Sequence, residues 1–312
     1  MPDKSSPRPI LVTGAHRSGT TWVGRMLAAD ADTAYISEPL NVLHRPGVLR
    51  APVRHWYAYI NRENEAQYLP AFEELLDFDY HVWSELRSLR SRKDVLRMLR
   101  DFGIFYAGSM RGQRALLKDP FAVFSAPWFR ERLDCRVVIT VRHPAGFASS
   151  LKRLGWSFDF RDLLDQPLLL RDHLEADRAD MQAMSAEDVV GQAALLWRMI
   201  YRVVHGFREQ HADFIVVRQE DLARQPAPGF KDLYGQLGLE YTSTVERTVL
   251  HSSSSDNPAE ASKKSVHSVK LDSQANLRSW GKRLSEAEIG RIRAITQGVA
   301  HLYYSDSEWT MP

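Results

Sequence analysis

The chain has 312 residues, a formal net charge of +2 and one cysteine, Cys135. This length allows one large α/β domain or two small ones, and the near-neutral charge excludes a strong overall attraction to nucleic acid or membranes. A single cysteine excludes a disulfide within the chain and fits a reducing compartment. We expect Cys135 to be buried and unreactive, because it borders the apolar run 137–141.

The amino-terminal residues are polar and proline-rich. We predict a flexible tail over residues 1–8 and a single domain over residues 9–312. The tail lacks the apolar stretch of a signal peptide, and no apolar run reaches the length of about 20 residues that spans a membrane. We therefore expect a cytoplasmic protein without stable membrane insertion. The oligomeric state does not follow from the sequence.

Residues 9–22 (PILVTGAHRSGTTW) predict a buried strand over Ile10–Val12, a glycine-bracketed loop, and a helix from Thr20. A loop of this kind gathers its backbone N–H groups, and the helix dipole adds partial positive charge at the same point. The stretch therefore predicts a site for a phosphate-type anion. The alternative is a glycine turn without a ligand.

The loop departs from the nucleotide-triphosphate motif G-x-x-x-x-G-K-[ST] at one position. Thr20 stands where that motif has lysine, and the positive charge lies inside the loop as Arg17. Because that lysine reaches the β- and γ-phosphates, its absence argues against ATP or GTP hydrolysis. The hydroxyl of Thr21 remains available to an anion.

A second strand is predicted over Thr33–Ser37 and ends at Glu38-Pro39. Glu38 would then lie at the carboxyl end of a strand, close to the anion loop of an open α/β sheet. The following segment, Leu40–Tyr80, is rich in aromatic residues. It either lines a pocket for an acceptor molecule or buries those aromatics in the core.

Residues 85–100 (ELRSLRSRKDVLRMLR) predict one basic helix. Its apolar positions form a stripe facing the core, and the arginines face elsewhere. The charged face is either simply solvated or meets an acidic acceptor or partner. The stripe consists of Leu86, Leu89, Val95, Leu96 and Leu99.

Two further strands carry basic residues at their carboxyl ends. Ala115–Lys118 is closed by Asp119-Pro120, and Arg136–Val141 runs into Arg142-His143-Pro144 and a helix from Ala145 to Gly155. Strand, arginine and helix N-terminus form a second anion site of the same physical type. An NTPase often has an aspartate there for Mg²⁺, whereas an arginine repels a metal ion.

The second half of the chain predicts one more strand among helices. We expect a lid insertion over 158–184, a helix over 187–210, a strand over Asp213–Val217, a mobile serine-rich loop over 251–268, and helical structure over 277–304. Five strands that alternate with helices predict an α/β fold with a mainly parallel central sheet flanked by helices.

Arg17-Ser-Gly-Thr-Thr-Trp22 resembles the 5′-phosphosulfate loop of sulfotransferases that use 3′-phosphoadenosine 5′-phosphosulfate (PAPS), in particular their bacterial and carbohydrate-type branch. Arg142 and Ser150 resemble the pair that holds the donor's 3′-phosphate, and residues 277–285 resemble a late W-x-x-x-L element. The resemblance extends from about residue 9 to residue 304 and implies one sulfotransferase domain. The donor contacts that it implies are Arg17, Ser18, Gly19, Thr20, Thr21, Trp22, Arg142, Ser150, Trp280, Lys282 and Arg283.

The reaction that the resemblance implies is sulfuryl transfer from PAPS to a hydroxyl or amine, leaving adenosine 3′,5′-bisphosphate. Arg17 would stabilise the leaving phosphate, and Lys118 would neutralise the sulfuryl oxygens, so that no metal is needed. The acceptor is a small molecule, a carbohydrate or a lipid. The alternatives are an ATP-dependent small-molecule kinase with a degenerate loop and a non-catalytic nucleotide-binding protein.

The general base must come from a position other than the one most common in the family. Cytosolic small-molecule sulfotransferases have a histidine two residues after the lysine, and this chain has Pro120 there. Glu38-Pro39 resembles the Glu-Pro of some carbohydrate and bacterial members, so Glu38 is the predicted base. Its alternative role is a structural pair with Arg17 or Lys118. The other candidate bases are Asp119, His44 and His16.

Overall fold

The computed structural model describes residues 7–43, 45–260, 269–277 and 279–310. Five strands form one sheet in the order β2-β3-β1-β4-β5, and every neighbouring pair is parallel. The predicted α/β class with a parallel sheet is confirmed. The strands are β1 (Ile10–Gly14), β2 (Thr33–Ser37), β3 (Arg114–Lys118), β4 (Arg136–Val141) and β5 (Ile215–Arg218).

Helices cover both faces of the sheet. They are α1 (Thr20–Leu27), α2 (Leu69–Leu76), α3 (Val82–Ser88), α4 (Arg92–Arg111), α5 (Ala126–Arg132), α6 (Pro144–Leu154), α7 (Arg161–Leu164), α8 (Pro167–Leu169), α9 (Arg178–Ala183), α10 (Val189–Gln210), α11 (Gln219–Arg224), α12 (Pro226–Gln236), α13 (Ser243–Ser253), α14 (Ser273–Leu277) and α15 (Glu286–Ala300). No helix within the described ranges combines the length and the apolar character needed to cross a bilayer.

The strands are short apolar runs because both faces of the sheet are buried. One face packs against α1, α12 and α13, and the other packs against a larger core that includes α6 and α10. In the register of the sheet, Lys118 lies opposite both Val12 and Ser37. The carboxyl ends of β1, β2 and β3 therefore meet at one edge, together with the residues that follow them.

Most predicted boundaries agree with the structure to within a few residues. β2 and β4 have the predicted bounds, β1 continues to Gly14, and β5 begins two residues later than predicted. The helix predicted over 187–210 begins at Val189, because the Asp188 side chain accepts a hydrogen bond from Gly191 N (2.9 Å) and caps it. Cys135 is fully buried, as predicted.

The single helix predicted over 85–100 is wrong. α3 ends at Ser88, Leu89 is extended, and α4 starts after Ser91, whose side chain caps it by accepting from Asp94 N (3.3 Å). The predicted core-facing stripe is also wrong, because Leu96 and Leu99 are 68% and 57% exposed. The buried residues of α4 lie in its middle and later turns and are Asp101, Phe105 and Gly108.

The segment predicted as a lid, 158–184, contributes to the packed interior. It forms α7, α8 and α9 with irregular turns between them, and its buried leucines include Leu163 and Leu174. Arg202 on α10 donates to His173 O and pairs with Asp177. The segment is therefore fastened to α10, and its movement as a lid remains a prediction.

Candidate functional site

The carboxyl edge of the sheet opens into a cavity of about 240 Å³, called the main cavity here. Its residues come from the loop after β1 and from α1, from the segments after β2, β3 and β4, from the turn after α6, from α11 and α13, and from the segment 269–273. Those used below are His16, Arg17, Thr20, Thr21, Trp22, Glu38, Asn41, Trp56, Phe121, Arg142 and Trp156.

The loop between β1 and α1 has a fixed conformation. Gly14 has φ 137°, and a Cβ there would lie 2.4 Å from Thr140 O, so no other residue fits. Ser18 is fully buried, donates to Ala15 O (2.5 Å) and lies 2.7 Å from Thr140 Oγ1. The Ser18 side chain therefore stabilises the loop. Only the backbone of Ser18 could make the contact with PAPS that the family resemblance implies.

The first turn of α1 offers backbone N–H groups that could bind an anion. The first N–H groups of a helix have no partner within the helix, and here they begin at Thr20, directly after the loop. Thr20, Thr21 and Trp22 all line the main cavity. The indole N–H of Trp22 donates to Ser252 Oγ (3.0 Å), which fixes the ring against α13.

Arg17 and Arg142 lie together although they are far apart in sequence. Arg142 Nη1 donates to Arg17 O (3.1 Å), and Arg17 Nε donates to Ser150 Oγ (3.2 Å). Burial and the neighbouring Arg142 lower the pKa of Arg17 to about 10, and burial lowers the pKa of Arg142. These two guanidinium groups are largely shielded from solvent and repel each other. An anion bound between them would reduce this repulsion.

A smaller cavity of about 30 Å³, called the arginine pocket here, continues from this pair. Arg17, Arg142 and Ser150 line it from one side, and Arg153 and Arg283 complete it. Glu260 lies in the same pocket, paired with Arg283 and 4.0 Å from Arg153 Nη1. The Glu260 carboxylate therefore neutralises part of the positive charge of the arginine pocket.

Glu38 lies at the other end of the main cavity and bonds to two side chains. It pairs with Lys118, which is buried, and accepts from Asn41 Nδ2 (2.8 Å). Lys118 reaches this point past α1, where Gly24 has no side chain and a Cβ would lie 2.9 Å from Lys118 Cγ. Of the two partners in the alternative role considered for Glu38, Arg17 and Lys118, the structure pairs it with Lys118. Its role as the general base remains a prediction.

The other candidate bases differ in access. Asp119 is buried, and its carboxylate accepts from Leu40 N (2.5 Å) and Phe121 N (2.9 Å), so its oxygens are engaged by backbone. Burial raises its pKa to about 7. His16 lines the cavity, but its pKa is lowered to about 4 by burial and by Arg17, which makes it a weak base. His44 lies outside the described residues.

Aromatic rings surround the cavity near Glu38. Trp56 packs on Phe121 with ring centroids 4.4 Å apart, and both line the main cavity together with Trp156. Tyr57 and Phe72, from the same aromatic segment, are fully buried in the core. Within the segment 40–80, Trp56 therefore lines a cavity whereas Tyr57 and Phe72 belong to the core, and an acceptor pocket there remains a prediction.

The structure separates the late candidates. Arg283 lines the arginine pocket and donates to Ser149 Oγ (3.0 Å). Trp280 is buried and stacks on His143 (5.6 Å between centroids), and neither Trp280 nor the exposed Lys282 lines either cavity. Trp280 thus packs against His143, the residue after Arg142, and is not part of the cavity wall.

Sequence reasoning missed several residues that line the two cavities. Arg153 follows Ser150 by one helical turn on α6, so its position on the same face was available from spacing alone. Asn41, Trp156 and Glu260 carried no such signal, because their proximity to the site depends on loop paths.

The chain has a parallel sheet flanked by helices, and a glycine-bracketed loop joins β1 to α1. This architecture is P-loop-like. The model of the sulfotransferase family matches residues 9–243, well over half of the chain. The chain belongs to the sulfotransferase family, whose general activity is sulfuryl transfer. No curated protein matches the chain.

Several solved structures are similar to the chain at low identity. The sulfotransferase domain of an olefin synthase from Synechococcus is 17% identical, with 98% of each chain covered and a TM-score of 0.45. A Mycobacterium avium sulfotransferase is 14% identical (96% of this chain, 78% of that chain, TM-score 0.47). A mouse sulfotransferase complexed with PAP is 11% identical (97% and 88%, TM-score 0.45).

Proposed function

We propose that the protein transfers the sulfuryl group of PAPS to a hydroxyl or amine of a small-molecule, carbohydrate or lipid acceptor, in line and without a metal. The observation that carries this proposal is the continuity of three features: the anion loop, the arginine pocket, and the Glu38–Lys118 pair. The first two suit the two phosphates of one donor, and the third suits the reacting group.

The donor would bind through both phosphates. The N–H groups at the start of α1 and the Arg17 guanidinium would hold the 5′-phosphate. Arg142, Ser150 and Arg283 would hold the 3′-phosphate, with Arg153 beside them. Bidentate guanidinium contacts suit a phosphate better than a lysine would, because two parallel N–H groups match two phosphate oxygens.

The chemical step needs charge stabilisation and a proton acceptor. The acceptor oxygen forms a bond to sulfur as the bond from sulfur to the 5′-phosphate oxygen breaks, and the acceptor proton passes to a Glu38 oxygen. Arg17 and the loop amides would stabilise the departing phosphate. Lys118 would share its charge between Glu38 and the sulfuryl oxygens.

The acceptor would enter beside the aromatic rings. Trp56, Phe121 and Trp156 offer an apolar wall near Glu38. Asn41 holds one oxygen of Glu38 and thereby orients the other. Both features favour an acceptor that places an apolar face against the rings and a hydroxyl against the carboxylate.

Calorimetric titration with adenosine 3′,5′-bisphosphate, against ATP with and without Mg²⁺, tests the donor. We expect tight binding of the bisphosphate that is independent of metal, and weak binding of ATP. A preference for Mg·ATP would contradict the proposal and favour a kinase. Bisphosphate binding without any transfer to a broad acceptor panel would favour a non-catalytic binding protein.

A further inference from the structure

A second cavity, of about 210 Å³, lies between β2, α1 and α4 and is called the edge cavity here. Thr21 and Glu38 line both the edge cavity and the main cavity, so the two meet at the predicted base. The edge cavity is therefore a route by which part of an acceptor molecule can approach Glu38.

The wall of the edge cavity carries an excess of positive charge. Four cationic side chains line it, against two carboxylates, Glu38 and Asp101. The four cations are Arg25, Arg45, Arg100 and Lys118. Since Lys118 is paired with Glu38, the excess rests on the three arginines.

One carboxylate serves two of those arginines. Arg100 donates to Asp101 Oδ1 from Nε (3.0 Å) and Nη2 (2.9 Å), and Arg45 pairs with Asp101 Oδ2. The Arg25 guanidinium lies 4.0 Å from the centroid of the Tyr35 ring, and no carboxylate pairs with it within the described residues. The buried Glu85 does not line the cavity, but its charge also acts on Arg45. The positive charge in excess of carboxylates therefore rests mainly on Arg25 and Arg100.

The three arginines are also close enough to repel one another. Burial lowers the pKa of Arg45 to about 10, with the charge of Arg100 as the next cause. The pKa of Arg100 is lowered by burial and by the charge of Arg25. An anion bound among them would relieve both the repulsion and the lost hydration.

We propose that the edge cavity binds an anionic group of the acceptor, a phosphate, sulfate or carboxylate, while a hydroxyl of the same molecule faces Glu38. This proposal rests on the proposed sulfuryl transfer and narrows its acceptor to anionic compounds. Guanidinium groups suit such oxyanions because their N–H groups bind in parallel pairs. The edge cavity shares Thr21 and Glu38 with the main cavity but has no residue in common with the arginine pocket, so this subsite is distinct from the site proposed for the donor's 3′-phosphate.

The first arm of the test uses inorganic phosphate at constant ionic strength. Calorimetric titration is done on protein saturated with adenosine 3′,5′-bisphosphate, which occupies the donor sites. We expect one binding event that the double variant Arg25→Gln/Arg100→Gln weakens about tenfold or more, since it removes charge-assisted hydrogen bonds. Absence of phosphate binding to the saturated wild type would overturn the proposal.

The matched control removes the same charge elsewhere on the surface. Arg92→Gln/Arg111→Gln changes two exposed arginines at the two ends of α4, about 12 and 16 Å along the helix from Arg100. Equal weakening in the control would show a general charge effect and sink the proposal. If the double variant does not fold, Arg25→Gln, which breaks no ion pair, replaces it.

The second arm separates a group on the acceptor from a free anion. Octyl glucuronide is compared with octyl glucoside, and glycerol 3-phosphate with glycerol, as ligands of the bisphosphate-loaded protein. We expect the anionic member of at least one pair to bind about tenfold more tightly, and Arg25→Gln/Arg100→Gln to abolish the difference. Phosphate binding without any such preference would show a free-anion site and overturn the acceptor assignment.

Binding of adenosine 3′,5′-bisphosphate tests the proposed sulfuryl transfer independently of the edge cavity. If adenosine 3′,5′-bisphosphate does not bind, the proposed sulfuryl transfer fails, whatever the edge cavity binds. If it binds with normal affinity to both double variants while the anion arms fail, only the present inference is wrong.

Discussion

Glu38 has a left-handed backbone (φ 54°) directly before Pro39, where an extended backbone is usual. Such a conformation costs of order 1–3 kcal/mol outside glycine and is found where surrounding contacts enforce it. Here Glu38 N donates to Lys118 O (2.8 Å), and the carboxylate is held by Lys118 and Asn41. Arg17 has the same unusual backbone (φ 67°). The backbone thus aims both side chains into one cavity.

Replacing Glu38 by glutamine keeps its shape and removes its basicity. We expect turnover to fall roughly 10²–10⁴-fold, the usual contribution of a general base. Affinity for adenosine 3′,5′-bisphosphate should stay near that of the wild type, because the arginine pocket is untouched. Steady-state kinetics and calorimetry on the same preparation check both. Near-normal turnover would remove Glu38 as the base.

Arg142 can be tested through the phosphate that it is proposed to hold. Arg142→Lys keeps the charge and loses the planar fork, so we expect binding of adenosine 3′,5′-bisphosphate to weaken by roughly 10–100-fold. Adenosine 5′-phosphate, which lacks the 3′-phosphate, should bind wild type and variant alike. Equal losses for both nucleotides would point to a general disturbance of the loop, since Arg142 also donates to Arg17 O.

At the scale of elements, β1–loop–α1 and β4–α6 are two copies of one arrangement. Each strand ends at the carboxyl edge, and each helix starts beside Arg17 or Arg142. The segment 254–260 approaches this region from the end of α13 and brings Glu260 into the arginine pocket. If the donor's 3′-phosphate binds there as proposed, it competes with a carboxylate of the protein itself.

Removing that competitor should strengthen donor binding. We expect Glu260→Gln to tighten binding of adenosine 3′,5′-bisphosphate by up to about fivefold, since a partly exposed ion pair contributes about 0.2–1 kcal/mol. Calorimetry at two salt concentrations measures this gain. Glu240→Gln, at an exposed site, is the matched control. Weaker binding in Glu260→Gln would mean that Glu260 organises the pocket instead of blocking it.

At the scale of the whole molecule, α11, α15 and the carboxyl-terminal turn converge behind the site. Glu220 accepts from His143 N (2.8 Å) and from the Tyr304 hydroxyl (2.9 Å), so its carboxylate joins α11 to β4 and to the end of the chain. His143 packs against Trp280, Tyr304 and Trp309. The end of β4 that carries Arg142 is thereby held by residues from the last part of the chain.

This packing makes stability depend on pH through His143. Burial lowers its pKa to about 3, so between pH 6.5 and 3 the unfolded chain binds a proton there and the native chain does not. The contribution is full above pH 6.5 and is lost as pH falls. We expect the free energy of unfolding of the wild type, relative to His143→Gln, to drop by roughly 2 kcal/mol from pH 7 to pH 5.

Urea unfolding of both proteins at a series of pH values measures this difference, and other titrating groups cancel in the comparison. A difference that does not change with pH would show that His143 has the same pKa in the native and unfolded chains, so that burial does not lower it. Binding of adenosine 3′,5′-bisphosphate by His143→Gln at pH 7 tests whether the altered packing reaches Arg142.

The local sequence determined the strands, the anion loop and most of the basic residues at the strand ends. Short apolar runs bounded by Gly14, Arg142 or Glu38-Pro39 have few alternatives, because strands buried on both faces of a parallel sheet are mostly apolar. The spacing of Ser285 and Glu288 is that of a capping box, and the structure contains one there, because both partners lie within one turn. Family resemblance then supplied the chemistry that these local patterns alone left open.

Only the tertiary structure decided which surfaces are buried and which side chains meet. The exposed stripe on α4 has the same spacing as a buried one, so periodicity could not reveal that little packs over it. Glu260 and Arg283, or Arg25 and Arg100, are brought together by loop paths and helix docking rather than by spacing. Such contacts depend on the whole fold because their free energy depends on burial and distance, which no short stretch of sequence specifies.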